Sequence, residues 1–427
     1  MAGLDRGTHA AVASITAMPR PIEVWFEEGI EGNDQVRRLI LEGVEHSGGP
    51  RFQSWWRIPG VTDLPLPPVL DSFVCGHVLA AAMSGQDLIV HGPMSRGGLY
   101  NMGQLIEIRA LLSPELYPRR ISVIPDRVIE VSRPPGDTGQ AIAALSSGLD
   151  SIFTAVRHAR RLIGDAAYPL AGLVMVHGFD APLDRPDRFE AMRRRAEPLT
   201  DWLDLPLYTV VTNSREHGGR AWPQSAIPLI ASALAQFSGR CAVGIVSGGA
   251  PHGTPRFGIS HPPVLDALAS NDFFRVVTDG GGFGRTDKIE ALLPFPIAIA
   301  AIKVCWEGSD PSRNCGRCQK CVVTRLNFLA AGFPDPACFE TPLELADIAG
   351  LDLRSVSAAR DLFRTCWNEL MLRGRTGAAV DLLTRRLARV PPDSTVNGLR
   401  RPLRAVWRRL PKRVQDAVTW RPSVLRT

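Results

Sequence analysis

Apolar and polar residues follow two different rhythms along this chain. Up to about residue 133, strand-like runs at 21–27 and 87–93 flank a helical run at 69–84, which reads as a small α+β unit. The stretch 133–140 then carries two prolines and two glycines, breaks every period and marks a boundary. From residue 141 onward, short apolar runs (141–146, 169–177, 206–212, 240–247) alternate with helical windows (151–164, 185–205, 223–237). Such β/α steps predict a parallel sheet covered by helices, because parallel strands need crossovers and are buried on both faces. Ligands of such sheets bind at the carboxyl ends of the strands. The Gly-, Pro- and His-rich stretch 247–263 predicts an ordered loop over that edge, lining the pocket. A helix is predicted over about 319–331, ended by Gly332 and Pro334. Residues 340–427 read as mostly helical, with breaks at Pro391, Pro392 and Pro402. The expected organisation is an N-terminal α+β accessory domain (1–135), an α/β domain (136–338) and a helical C-terminal region (339–427).

Composition narrows the class. A chain of 427 residues exceeds one ordinary core, so more than one domain is expected. With 45% hydrophobic and 22% charged residues it lies near globular usage, which rules out a mostly disordered, collagenous or coiled-coil chain. No apolar run reaches the roughly 18–20 residues of a membrane span, and Asp5 interrupts the start where a signal peptide would be continuously apolar. A cytoplasmic protein without a membrane partner is therefore expected. The net charge of +6 is concentrated at one end: residues 371–427 hold 14 Lys and Arg against 3 Asp and Glu.

Two clusters carry chemistry. The first is Ala144-Leu145-Ser146-Ser147-Gly148-Leu149-Asp150-Ser151, placed between a buried strand and an amphipathic helix. Backbone N–H groups in a tight turn, backed by a helix N-terminus, make a concave anion site. Small residues at 146–148 admit phosphate oxygens, Ser146 and Ser151 add hydroxyls, and Asp150, with no Lys or Arg near it in sequence, is a candidate Mg²⁺ ligand. No Lys completes a classical P-loop and a single Gly cannot make the dinucleotide fingerprint. The bland alternative is a Ser/Asp helix cap after a strand.

The second cluster is Cys305-x9-Cys315-x2-Cys318-x2-Cys321. Paired C-x2-C turns present two thiolates to one metal, and four thiolates close a tetrahedron. Zn²⁺ in a structural role is the expectation; an iron–sulfur cluster and unliganded core cysteines stay open. Disulfides are disfavoured in a cytosolic chain.

The serine-rich loop resembles the PP-loop, S-G-G-x-D-S, of the N-type ATP pyrophosphatases, with Ser147 where that motif has its first Gly. The resemblance implies an adenine nucleotide alpha hydrolase-like (HUP) core that cleaves ATP between its α and β phosphates. It also places the adenine at the end of the second strand, here His177 and Gly178. A PP-loop followed about 155 residues later by this cysteine pattern resembles the 7-cyano-7-deazaguanine synthase family. Residues 314–326 are similar to that family's zinc segment and 285–290 to the Thr-Lys helix start before it. The similarity implies adenylation of 7-carboxy-7-deazaguanine, or a similar heteroaromatic acid, followed by transfer to ammonia. Residues 1–135 and the basic C-terminal region have no counterpart in the compact synthase. Enlarged relatives look like specialised paralogues of natural-product and antiviral-defence systems, where the acceptor is an amine of a partner protein.

Expected roles follow. Asp150, Ser151, Lys288 and Arg285 are the candidate catalytic set, the two cations neutralising phosphate charge. Ser146, Ser147, Gly148, Asp150, Ser151, His177 and Gly178 would bind ATP; Ser247, Gly248, Gly249 and His252 would contact the carboxylate substrate. Homodimerisation stays open. Two rival functions remain: an ATP-dependent sulfurtransferase of the tRNA-thiolating kind, and a nucleotide- or nucleic-acid-binding module without catalysis. The latter draws on Arg400, Arg401, Arg404, Trp407, Arg408 and Arg409, a pattern that suits a solvated helix better than a nucleic-acid partner.

Overall fold

A computed structural model describes residues 19–45, 49–131, 139–217, 222–249, 263–305, 307–308, 310–351, 353 and 357–389. The chain divides into two compact units, Met1–Cys315 with Asp335–Glu340, and Gly316–Pro334 with Thr341–Thr427. The basic segment 400–413, the boundary residues 132–138 and His252 lie outside the described residues.

The first unit is built on one ten-stranded sheet with helices on both sides. Its N-terminal strands are β1 (Ile22–Glu31), β2 (Asp34–Glu42), β3 (Arg51–Ile58), β4 (Leu88–Ser95) and β5 (Val123–Ile129). The later strands are β6 (Ala141–Ala144), β7 (Leu170–His177), β8 (Leu207–Thr212), β9 (Val243–Ser247) and β10 (Arg275–Asp279). The order across the sheet is β10-β9-β6-β7-β8-β3-β2-β1-β4-β5. From β10 to β8 every neighbouring pair is parallel, as the β/α rhythm predicts. Strands β6 and β9 are buried along almost their whole length.

The N-terminal strands do not form a sheet of their own. Antiparallel β3 pairs with β8 through Trp56 opposite Thr212 and Arg57 opposite Val211. The Asn213 side chain extends this ladder, accepting from Trp55 N at 2.9 Å and donating to Gln53 O at 2.9 Å. The segments before and after residue 135 thus share one sheet and one apolar core, in which Trp56, Phe73, Val78, Ile142, Val210 and Phe274 are all buried.

Two sets of helices cover the sheet. One comprises α1 (Asp71–Ser84), α2 (Arg96–Leu112) and α5 (Trp222–Leu234), packed with a 3₁₀ turn at Pro263–Ala269. The other comprises α3 (Leu149–Ala159), α4 (Pro186–Leu203), α6 (Arg285–Leu292) and α7 (Pro296–Ala301). Helix α2 is invisible to the hydrophobic pattern because its first turn, Arg96-Gly97-Gly98, reads as a breaker. The glycines are there for space. A Cβ on Gly98 would stand 1.7 Å from Asp71 Oδ1, and one on Gly97 would stand 2.1 Å from Asp272 Oδ1. Ser95 caps the helix, accepting from Gly98 N at 3.1 Å.

The second unit is helical. Helices α8 (Gln319–Ala330), α9 (Leu345–Ala349), α10 (Ser357–Leu372) and α11 (Ala378–Ala388) enclose Val322, Leu326, Ile348, Phe363, Leu370 and Leu383. No described helix is long and apolar enough to cross a membrane.

Asp266, in the 3₁₀ turn, gives the first unit a pH-dependent stability. Burial pushes its carboxyl from near 3.8 up to about 7, against the hydrogen bond from Thr278 (2.8 Å) and the charge of Arg109. The folded state therefore holds this proton where the unfolded chain has lost it, and stability falls as pH rises from about 4 to about 7. Between pH 5 and 8 the loss should be roughly 2.5 kcal/mol. Denaturant unfolding at the two pH values should show that component in the parent chain and not in Asp266→Asn, whose amide stays neutral.

Candidate functional site

Strand β6 ends beneath a loop whose hydroxyls point back on themselves. The Ser151 hydroxyl donates to Gly148 O at 3.1 Å and accepts from Ser146 N at 3.1 Å, and the Ser146 hydroxyl lies 3.2 Å from it. Helix α3 starts at Leu149 with Gly148 as its N-cap, so no side chain caps it. A helix N-terminus with uncapped N–H groups and serine hydroxyls alongside is suited to an anion.

Ser147 adopts φ 57°, the left-handed region where glycine is at ease. A non-glycine residue costs about 1 kcal/mol there. The residue is buried, and its Oγ has no hydrogen-bond partner. Its carbonyl accepts from Lys303 N at 2.7 Å, which pins the strained peptide.

Helix α6 brings the cations. Its start is closed by Asp287, whose carboxylate accepts from Gly284 N at 2.8 Å. Arg285 and Lys288 then lie one turn apart and converge on Asp150 at the start of α3. Lys288 Nζ is 2.6 Å from Asp150 Oδ1 and Arg285 Nη2 is 3.2 Å from Oδ2. Lys288 is 1% exposed and also donates to Gly248 O. Asp150 has no charged neighbour in sequence, yet in space it is answered by two cations more than 130 residues away.

Ser247 ends β9 with its hydroxyl buried and without a partner. Gly248 N donates to Asp279 O at 2.8 Å, and a Cβ there would lie 3.0 Å from Gly281 N; Gly249 has open space. These residues adjoin the loop through the Lys288–Gly248 hydrogen bond. His177 and Gly178 stand at the end of β7 with other duties. His177 donates from Nε2 to Pro182 O at 3.0 Å and stacks on Phe189, with centroids 4.7 Å apart. Gly178 has φ 113°, and a Cβ would meet Thr212 O at 1.8 Å, so the close approach it permits is that of the chain's own backbone.

The ligand atoms of Cys305, Cys315, Cys318 and Cys321 all lie within 4.8 Å of one another. Four thiolates around a metal at about 2.3 Å would stand about 3.8 Å apart, so this group fits a tetrahedral ion such as zinc. The other cysteines, Cys75, Cys241, Cys338 and Cys366, are buried, and burial pushes the Cys75 thiol up to about 12. Sequence reasoning passed over Lys303. Its signal was a single lysine in the apolar run 297–306, two residues before Cys305.

No family model and no solved structure matches the chain. A stretch of 82 residues is 45% identical to a 7-cyano-7-deazaguanine synthase of Cupriavidus metallidurans, covering 19% of this chain and 29% of that protein. The chain thus spans less than a third of the length of the curated relative that it matches.

Two outcomes follow from this geometry. Replacing Ser147 by Gly removes both the left-handed penalty and the buried hydroxyl, so Ser147→Gly should gain about 1 kcal/mol in denaturant unfolding. Metal analysis of the purified chain should find one zinc per molecule, and Cys318→Ser should lose it.

Proposed function

We propose that this chain is an AMP-forming, ATP-dependent ligase of the 7-cyano-7-deazaguanine synthase-like type. The observation that carries the reading is the uncapped start of α3, lined by Ser146 and Ser151, with Lys288 and Arg285 gathered on Asp150 beside it. The partial similarity to a deazaguanine synthase supports an ATP-using enzyme. On this reading the sheet from β10 to β8 is an adenine nucleotide alpha hydrolase-like core, with His177 and Gly178 shaping the adenine end.

The residues act by positioning and charge neutralisation. Backbone N–H groups of the loop and of α3, with the serine hydroxyls, hold the phosphates. Lys288 and Arg285, kept in place by Asp150, balance charge that builds on the leaving pyrophosphate. Asp150 would be the protein ligand of a magnesium ion bound with the nucleotide, which would supply further positive charge to the phosphates. The bound carboxylate, 7-carboxy-7-deazaguanine or a similar heteroaromatic acid, lies against Ser247, Gly248 and Gly249. Its oxygen attacks the α-phosphorus as the bond to pyrophosphate breaks. An amine then attacks the activated carbonyl, AMP departs and the amine gives up a proton. The amine is ammonia or belongs to a partner protein of a defence or specialised biosynthetic system. Zinc on the four cysteines would be structural, since four thiolates leave no open position.

Burial of Cys75, Cys241, Cys338 and Cys366 counts against sulfur transfer, because a persulfide carrier must be exposed and readily ionised.

Chromatography of products is the direct test. Full-length protein with magnesium ATP and 7-carboxy-7-deazaguanine should form AMP and pyrophosphate only when the acid is present, and the amine that speeds release identifies the acceptor. Asp150→Asn, which keeps the shape but loses the charge, should lower this turnover about 100-fold without changing the circular dichroism spectrum. Full activity in that variant would exclude the assignment.

A further inference from the structure

The last two residues of β10 serve opposite faces of the sheet, as alternation along a strand requires. Thr278 points to the layer of α2 and α5, where it donates to Asp266, while Asp279 points to α3. Asp279 Oδ2 accepts from Thr154 Oγ1 at 3.0 Å, and its Oδ1 lies 3.3 Å from Arg157 Nη1 and 3.7 Å from His158 Nε2. The His158 ring is itself fixed: its Nδ1 accepts from Tyr168 N at 3.0 Å, which leaves the ring hydrogen on Nε2, toward Asp279. Burial works against a charge at this position, yet His158, Arg157 and Thr154 together hold the Asp279 carboxyl below its ordinary range, so it meets α3 as an anion.

Asp150, Thr154 and His158 follow one another four residues apart, with Arg157 beside His158, so they form one polar stripe along α3. The stripe is tied twice. At its start Asp150 holds Lys288 and Arg285; one turn later Thr154 and Arg157 hold Asp279. The first tie is made of the groups that the ATP reading gives to the phosphates and to magnesium, so it is the one that a bound nucleotide would redistribute. The second tie uses none of those groups. Asp279 also reaches the cations by another route, because its carbonyl accepts from Gly248 N at 2.8 Å and Gly248 O accepts from the Lys288 ammonium. The next residue, Gly280, has φ 77° and leaves room for Lys288, whose Cε a Cβ there would meet at 3.3 Å.

We propose that Asp279 is a positioning residue of the nucleotide site, acting through α3. Its carboxylate, accepting from Thr154 and paired with Arg157, fixes the helix against β10, so that the loop between Ser146 and Ser151 keeps its place beside Lys288 while Asp150 and the cations engage the nucleotide. This inference rests on the reading of the loop as an ATP site.

The test measures binding of a fluorescent, non-hydrolysable ATP analogue with magnesium to the full-length chain, alongside circular dichroism and urea unfolding. Thr154→Val, which keeps the shape without the hydroxyl, and Asp279→Asn, which loses the charge, should fold and bind the analogue about tenfold more weakly. Thr154→Ser, which returns the donor, should bind within about threefold of the parent. Thr278→Val removes the hydrogen bond on the other face of the same strand; it should unfold at lower urea and still bind as the parent does. A role for Asp279 in stability alone predicts lowered urea midpoints with affinity unchanged in the folded variants. That result, or an equal loss of affinity in Thr278→Val, overturns the inference. If Asp279→Asn does not fold, the Thr154 variants decide. Absence of nucleotide binding by the parent chain would instead defeat the ATP reading itself.

Discussion

A lysine ammonium that is 1% exposed has to be answered by charge, and in this protein the answer is Asp150. Removing one member of such a pair costs about 3–5 kcal/mol, because the other is left buried and unpaired. The pair therefore ties the start of α6 to the start of α3 with far more force than a surface ion pair would. The third group on Lys288, the Gly248 carbonyl, brings the end of β9 into the same knot. Two crossovers of the sheet, β6 to β7 and β9 to β10, thus meet the start of α6 on one ion pair, beside the loop between Ser146 and Ser151.

What was legible in the sequence was local. The short apolar runs of the core appear as β6 to β9, and the predicted helix at 319–331 appears as α8 at Gln319–Ala330. These elements announce themselves through period and punctuation. The cysteine group was readable too, because three of its ligands fall within seven residues and spacing alone places them on one turn. Lys288 and Arg285 could be named as cations but not matched to Asp150, since nothing in a sequence reports a contact across that separation. Strands β2, β3, β5 and β10 carried too little alternation to stand out. Helix α2 was hidden by glycines that serve packing and not flexibility.

Ser147 shows how a left-handed position can be held without glycine. The residue pays for a conformation that glycine would adopt freely, and a hydrogen bond from a distant segment holds it there. Of the four lysines in the chain, two are buried at opposite sides of this loop, Lys288 through its side chain and Lys303 through its backbone. Lys288 acts there through its ammonium, whereas the N–H of Lys303 is one that any residue but proline offers.

The antiparallel seam between β3 and β8 has a consequence for anyone who wishes to work with the parallel half of the sheet alone. Cutting the chain near residue 135 would strip the Asn213-extended ladder and the packing of Trp56 from β8, leaving a central strand as a bare margin. Exposed strand margins of that kind recruit other chains. The parallel strands and the N-terminal strands consequently fold as one body, and the parallel half by itself would be expected to pair with other chains before it could report on chemistry.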